Sequence, residues 1–222
     1  MEKEVNKMYA IIDIETTGGK FDSESITEIA ILKYNKQKLL DQFSSLVNPE
    51  NKIDSFVEKL TGINHKMLKN APKFYNIAKR IIEITDNCVL VAHNASFDYR
   101  ILKTEFRRLG YNYKRKTLCT VNLSKKLIPN KTSYSLDKLT KDLGIPLKRN
   151  HRAFDDAIAT FNLFKLLEDL DLDKNILKKE IKNLKLNSVS INILKHIDKI
   201  PSKVGLYYFY NAKKEIIFIG MS

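Results

Sequence analysis

Three separated stretches of this 222-residue chain carry side chains able to do chemistry together. The first, "AIIDIETTGG" (residues 10–19), sets Asp13 and Glu15 inside an apolar run and then breaks on two glycines. Burying an ionised carboxylate without a partner costs several kcal/mol or more, so two on one strand need a reason. Strand side chains alternate, which puts Asp13 and Glu15 on one face and Ile12 and Ile14 on the other. The second stretch is "HNASFDYRIL" (93–102). On a helix starting near Ser96, Asp98 aligns with Leu102 and Leu109, the face that should turn inward. A first-turn acid held only by the helix dipole, worth about 0.3–1 kcal/mol, would point outward instead. In the third stretch, "HRAFDDAIAT" (151–160), Ala153, Asp156, Ala157 and Thr160 form a strip of small residues at helical spacing. Such a strip lets the helix approach closely whatever Asp156 faces. Asp155 points elsewhere, as a solvated or capping acid. His151 falls on the loop entering this helix, free to face the same place.

Four converging carboxylates carry about −4, which two divalent cations would balance, and hard oxygen ligands suit Mg²⁺ or Mn²⁺. Paired ions about 3.5–4 Å apart clamp the attacking and leaving oxygens of a phosphodiester. A histidine, with an ordinary pKa near 6.5, is suited to take a proton from the attacking water. The pattern therefore predicts two-metal phosphodiester hydrolysis. Gly18 and Gly19 would let backbone approach a ligand closely beside the acids. Taken singly, each piece has a plainer reading: acids at an exposed strand end, a dipole-stabilised first-turn acid, a structural histidine.

The elements that must position these groups can be read coarsely. Residues 8–15 form a strand buried on both faces, and 26–34 and 38–47 complete a meander with it. Residues 54–84 are helical and broken, a new helix opening after Pro72. "CVLVAH" is a short buried strand. The helix from Ser96 to Leu109 follows, with Ile101, Leu102, Phe106 and Leu109 on one face. "TLCTVNLSKKL" is a fifth strand running into helix, "SLDKLTKDLG" a short helix closed by Gly144, and 153–167 the last helix of the compact part. Strands in a block followed by alternating strand and helix imply an α/β protein whose mixed five-stranded sheet is flanked by helices.

Lys and Arg total 39 against 26 Asp and Glu, a formal charge of +13. That balance suits a polyanion such as nucleic acid, although a lysine-rich genome would give a similar excess. The charged N-terminus lacks a signal-peptide core, and no apolar stretch reaches the roughly 20 residues of a membrane span. Cys88 and Cys119 form no CxxC and suit a reducing compartment. These features lead us to expect a cytoplasmic protein with no membrane partner.

"DIETTG", "HNASFD" and "HRAFDDAIAT" together resemble the three motifs of the DEDDh (DnaQ-like) 3′→5′ exonucleases, the family that includes bacterial polymerase proofreading subunits. The resemblance covers about residues 8–168 and implies an RNase H-like fold. It implies Asp13, Glu15, Asp98 and Asp156 as ligands of two divalent cations, Mg²⁺ or Mn²⁺, and His151 as general base. Thr16, Thr17 and Gly18 match positions beside the terminal nucleotide. "LTGI", with Leu60 and Ile63, is similar to the segment lining the 3′-terminal base pocket, and Asn94 and Phe97 match positions supporting the site. One departure stands out: Gly19 occupies the place where many relatives wedge a bulky apolar residue, which leaves a neighbour such as Phe21 to take that task.

The tail "GLYYFYN … IIFIG" resembles the opening of a GIY-YIG nuclease domain over about 18 residues, without that family's downstream catalytic Arg and metal-binding Glu. The domains expected are an exonuclease domain over 1–168, a Lys-rich, helical linker over 169–200, and a β-hairpin over 201–222 that is either docked on the main domain or the start of a longer protein. The resemblance implies release of nucleoside 5′-monophosphates from single-stranded or frayed 3′ ends in proofreading or repair, DNA favoured over RNA, with a DNA polymerase or repair complex as partner. An RNA-directed exoribonuclease of the same family is the nearest rival, separated by comparing turnover of matched DNA and RNA. A non-catalytic nucleic-acid-binding module is a rival of another class. It predicts missing ligands, whereas all four acids and the histidine are present.

Overall fold

The central strand is the one that carries two of the acids. In the computed structural model, which describes residues 7–19, 23–171, 175–183, 206–211 and 216–221, β1 (Met8–Thr16) lies in the middle of a five-stranded sheet. Its neighbours are β2 (Ile26–Tyr34), antiparallel, and β4 (Cys88–Ala92), parallel. β3 (Leu39–Leu46) extends the sheet beyond β2 and β5 (Lys116–Cys119) beyond β4, giving the order β3-β2-β1-β4-β5. β4 is wholly buried and β2 nearly so, as strands covered on both faces must be. β3, "LLDQFSSL", alternates exposed and half-buried positions because it is an edge with one wet face.

One face of the sheet is covered by α7 (Ala153–Leu170). Tyr9, Ile11, Ala30, Leu32, Val89 and Val91 share a core there with Ala157, Leu163 and Phe164. The Phe164 ring meets Tyr9 edge-on at 4.9 Å, and Phe161 meets Tyr34 at 5.0 Å. α5 (Thr120–Leu127) and α6 (Leu136–Asp142) pack beside α7. Side chains of alternate parity face α3 (Phe74–Ile84) and α4 (Ala95–Arg108), joined by the Phe74 and Phe106 rings at 5.0 Å. Phe106 also stacks on Tyr113 at 4.5 Å.

The broken helical region after β3 is three helices: α1 (Ser55–Thr61), α2 (His65–Leu68) and α3. Gly62, in the left-handed region at φ 70°, closes the first, and α3 begins at Phe74, two residues after Pro72. Leu109 departs from the expected pattern, being 43% exposed. α4 stops at Arg108 and the chain turns through Gly110 at φ 73°, so Leu109 leaves the apolar face its spacing implied.

The chain divides into two compact units, Met1–Val189 and Ser190–Ser222. The first also holds α8 (Asn175–Asn183), whose Leu177 is buried in the same core as Tyr9 and whose Glu180 pairs with Lys126. The second holds an antiparallel pair, β6 (Leu206–Tyr210) and β7 (Ile216–Met221), with Tyr208 and Tyr210 exposed. Phe21, residues 184–205 and residues 212–215, where a turn is expected, lie outside the described residues. No helix among the described residues is long and apolar enough to cross a membrane.

Candidate active site

Because β1 and β4 are parallel, their carboxyl ends reach the same edge of the sheet, where ligands of open α/β sheets commonly bind. β4 hands over to α4 at that edge through Asn94, held in the left-handed region at φ 74°. This sharp entry swings Asp98, on the first turn of α4, onto the end of β1, where its carboxylate accepts the Ile14 N–H. The N-terminus of α7 arrives from the other side with Asp156 on its first turn. Ala153, Ala157 and Thr160 are fully buried, so the small-residue strip does bring this helix onto the strand. Asp98 and Asp156 keep only 4% and 5% of their surface. Two helix N-termini therefore point at the acids, and their dipoles offset a little of the repulsion.

The electrostatics record how poorly the acids are compensated. Burial, and then the charges of Asp98, Asp156, Glu15 and Glu28, hold the Asp13 carboxyl well above the usual carboxylate range. Burial, followed by Asp156, Glu28 and Asp98, pushes Glu15 up to about 8. Burial raises Asp98 to about 7 against the pull of the backbone N–H groups it accepts. Asp156 is raised to about 6, again chiefly by burial, with the N–H groups of His151 and Arg152 opposing.

His151 sits on the turn before α7 with φ 62°, and its N–H donates to Asp156 Oδ2 at 2.9 Å. That bond, made by the backbone, ties the His151 main chain to the pit, while the ring Nε2 lies 3.2 Å from the Asn150 side-chain amide. One ligand atom each from Glu15, His151 and Asp156 lie within 4.8 Å of one another. The other oxygen of Asp156, Oδ1, is buried and has no hydrogen-bond partner among the described residues. A buried carboxylate oxygen left unpaired, amid further hard oxygens and an imidazole, is what a divalent cation needs. The donor set of Glu15, His151 and Asp156 fits such an ion, and Asp13 and Asp98 lie close enough to repel its carboxylates.

Sequence reasoning passed over Glu28. It faces Glu15 across β1 and β2 and is 5% exposed. Its carboxylate accepts two N–H bonds from Arg152, at 3.0 and 2.8 Å, and the Ala153 N–H at 3.0 Å. Glu28 thereby fastens the first turn of α7, and with it the residue next to His151, to β2. The signal was available: an acid within "ITEIAILKY" breaks an apolar run just as Asp13 does in β1.

The remaining candidates lie on the loop after β1, on and just after α1, and at the start of α4. Thr16 and Thr17 are buried; Gly18 N–H donates to Thr16 Oγ1 at 3.2 Å, and Ser25 N–H to Thr17 Oγ1 at 3.1 Å. Gly18 has φ 67°, and a Cβ there would stand 2.6 Å from Val57 Cγ2, so the loop after β1 lies against α1 through glycine alone. The Asp54 N–H ties α1 to Thr17 O at 2.8 Å. On α1, Leu60 is 43% exposed, whereas Ile63 just beyond is fully buried with Ile53 and Leu68 and offers no surface. Asn94 is exposed and accepts from Ser96 Oγ at 3.0 Å; Phe97 is half-buried under the Arg100 guanidinium. Gly19 has φ 103°, and among the described residues a Cβ there would meet Ser23 Oγ at an ordinary 3.7 Å. Asp155 turns away to Arg149, 2.8 Å from its Nε. His93 also belongs elsewhere, its ring bridging Thr120 Oγ1 and the Tyr134 carbonyl.

A mixed sheet in this order, with carboxylates gathered at the end of its middle strand and a histidine before the last helix of the site, is an RNase H-like nuclease architecture. The chain belongs to the exonuclease family (RNase_T), which matches residues 10–164. It is 32% identical over 223 aligned positions to a PolC-type DNA polymerase III of Caldanaerobacter subterraneus subsp. tengcongensis, covering 93% of this chain and 16% of that protein. It is 36% identical over 170 positions to the 3′-5′ exonuclease DinG of Staphylococcus saprophyticus, covering 74% of this chain and 19% of the relative. The chain thus spans less than a fifth of the length of these relatives. Among solved structures, exonuclease X in complex with 5′-overhanging duplex DNA superposes with TM-score 0.60 at 26% identity, over 73% of this chain and 92% of that one. Exonuclease I superposes with TM-score 0.67 at 18% identity over 75% of this chain and 42% of that one, a likeness of fold.

Proposed function

We propose that this chain is a metal-dependent 3′→5′ exonuclease that hydrolyses DNA from a single-stranded or frayed 3′ end and releases nucleoside 5′-monophosphates. The observation that carries the reading is the pit itself: four carboxylates from three elements, no cation among the described residues paired with them, and Asp156 Oδ1 unsatisfied. Asp13, Glu15, Asp98 and Asp156 would hold two divalent cations, Mg²⁺ or Mn²⁺. Such ions supply positive charge for the reacting phosphate oxygens and ease deprotonation of the attacking water. His151 takes that proton, its main chain tied to the pit by the bond from its N–H to Asp156 Oδ2. Thr16, Thr17 and Gly18 offer the loop on which the terminal nucleotide rests, and Leu60 the exposed apolar surface beside its base. Asn94 and Phe97 support the opposite wall.

A role in proofreading or repair, beside a DNA polymerase or repair complex, is part of this proposal and draws support from the PolC-type and DinG relatives. So does a cytoplasmic setting, in keeping with two free cysteines. We read the chain as an exonuclease domain (1–168), a Lys-rich linker (169–200) whose helix α8 packs back on that domain through Leu177, and the opening strands of a GIY-YIG-like domain (201–222). Product analysis on an oligonucleotide labelled at its 3′ or its 5′ end, with Mg²⁺ and then with EDTA, tests the activity. Immediate release of labelled mononucleotide from the 3′ end, stopped by EDTA, is expected. Internal cutting, 5′ polarity or EDTA-resistant turnover overturns the reading, and equal or faster turnover of matched RNA overturns the choice of DNA.

A further inference from the structure

A second concavity, of about 850 Å³, runs along α4 and is lined by side chains of one sign. Ser96, Arg100, Lys103 and Arg107 recur at i, i+4, i+7 and i+11, so they form a single stripe down the helix. At 1.5 Å per residue the stripe is about 16 Å long. Tyr99 and Tyr111, both half-buried, stand along the same groove. The Lys103 ammonium lies 5.6 Å from the centre of the Tyr99 ring, and Arg100 is braced on Glu24 at 2.5 and 3.1 Å. Among the described residues no Asp or Glu lines this groove. The other concavity, of about 630 Å³ beside Thr17 and Gly18, is different: Glu50 and Glu105 line it together with its cations.

The upper end of the stripe is Ser96, two residues before Asp98 and hydrogen-bonded to Asn94. Ser96 and Asp98 share the first turn of α4 but point about 160° apart, so the groove begins at the helix end nearest the pit and runs down the outer face of α4. Cations at helical spacing with aromatic faces between them suit a single nucleic-acid strand, whose phosphates pair with the cations and whose bases stack on the rings. We propose that this groove carries the single strand on the 5′ side of the scissile phosphate, and that Lys103, Arg107 and Tyr111 set affinity for long substrates. At 3.4 Å per phosphate of a stacked strand, 16 Å accommodates about five phosphates, and fewer when the strand is extended. The inference rests on the exonuclease reading, which supplies the substrate and its direction.

The test uses the full chain with Lys103→Glu and Arg107→Glu combined, and separately with Tyr111→Ala. Kinetics are measured on a single-stranded 20-mer and on a dinucleotide. The charge-reversed protein should show a KM for the 20-mer raised about tenfold or more with kcat unchanged, and unaltered kinetics on the dinucleotide. Its plot of log affinity against log salt should be shallower by about one to two, near 0.7 for each phosphate of a single strand no longer neutralised. Tyr111→Ala should weaken 20-mer binding roughly fivefold or more. An equal loss on both substrates, or an unchanged KM for the 20-mer, overturns the proposal; the second result would leave the groove to an acidic protein surface instead. Binding of a fluorescent 20-mer to Asp13→Asn protein, with and without the groove changes, separates the two readings. Groove-dependent binding in a chain whose wild type cuts nothing would count against the hydrolytic assignment alone. Groove-independent binding beside normal hydrolysis would count against the groove alone.

Discussion

Two groups of buried and half-buried acids flank the start of β2, and they are compensated in opposite ways. Around Ser25, Glu24 meets Arg100 at 2.5 Å and Glu105 meets Arg108 at 3.0 Å, while the Ile26 N–H also donates to Glu105. Glu28 belongs with this group, because Arg152 answers it twice. In the pit, Asp13, Glu15, Asp98 and Asp156 form no ion pair among the described residues, and Glu15 feels Arg152 only through space. Glu15 and Glu28 are direct neighbours across the ladder, yet one is braced by a guanidinium and the other is not. A buried acid with its guanidinium is a strut; a set of buried acids without one is a receptor for charge from outside. A protein that keeps such a set gives up stability for it.

The largest expected effect that tests this contrast is on turnover. Asp13→Asn should lower hydrolysis by more than about 10³-fold, several kcal/mol of transition-state stabilisation, while raising the melting temperature of metal-free protein. Activity within tenfold of wild type in a clean preparation would remove Asp13 from the ligand set. His151→Ala comes next, with kcat down by about 10²–10⁴-fold and little change in metal-free melting. The sharpest comparison is between the facing glutamates. Glu28→Ala leaves Arg152 without its partner and should cost about 2–4 kcal/mol in a denaturant titration, whereas Glu15→Gln should stabilise the metal-free chain. The same sign for both would dissolve the distinction between strut and receptor.

Acidity sharpens it further. The carboxyls of Glu15, Asp98 and Asp156 titrate near 8, 7 and 6 in the folded chain, against about 4 when unfolded. Between those values the folded form holds more protons than the unfolded one, so metal-free stability should fall as pH rises from about 4 to 8. Denaturation midpoints in EDTA at pH 5 and pH 8 read this directly, and Mg²⁺ or Mn²⁺ should recover more stability at pH 8 than at pH 5. The smallest effect belongs to the exposed Arg80–Asp41 pair, 2.6 Å apart, whose removal should cost less than about 1 kcal/mol.

Much of this arrangement could be read from the residues because each element broke its own pattern. Acids inside the apolar run of β1, and on the inward faces of two helices, are costly enough to announce themselves. The sheet was legible from apolar runs of strand length, and the approach of α7 from its strip of small residues. What escaped was set by three-dimensional context. Glu28 carries the same signature as Asp13, but its partner lies 124 residues away, and only the folded chain shows that Arg152 meets it. Leu109 has the spacing of a buried helix position, and a turn through Gly110 exposes it. Ile63, matched by resemblance to a binding segment, is instead packed under α1.

One bond at the mouth of the pit has a further consequence. His151 occupies a backbone region that non-glycine residues seldom adopt, which costs of order 1–3 kcal/mol, and the acceptor holding it there is Asp156 Oδ2. The same carboxyl has its second oxygen to spare. On the proposed function, an ion engaging that oxygen would steady the carboxyl to which the His151 backbone is tied, so loading of the pit and placement of the histidine would favour each other by the same amount.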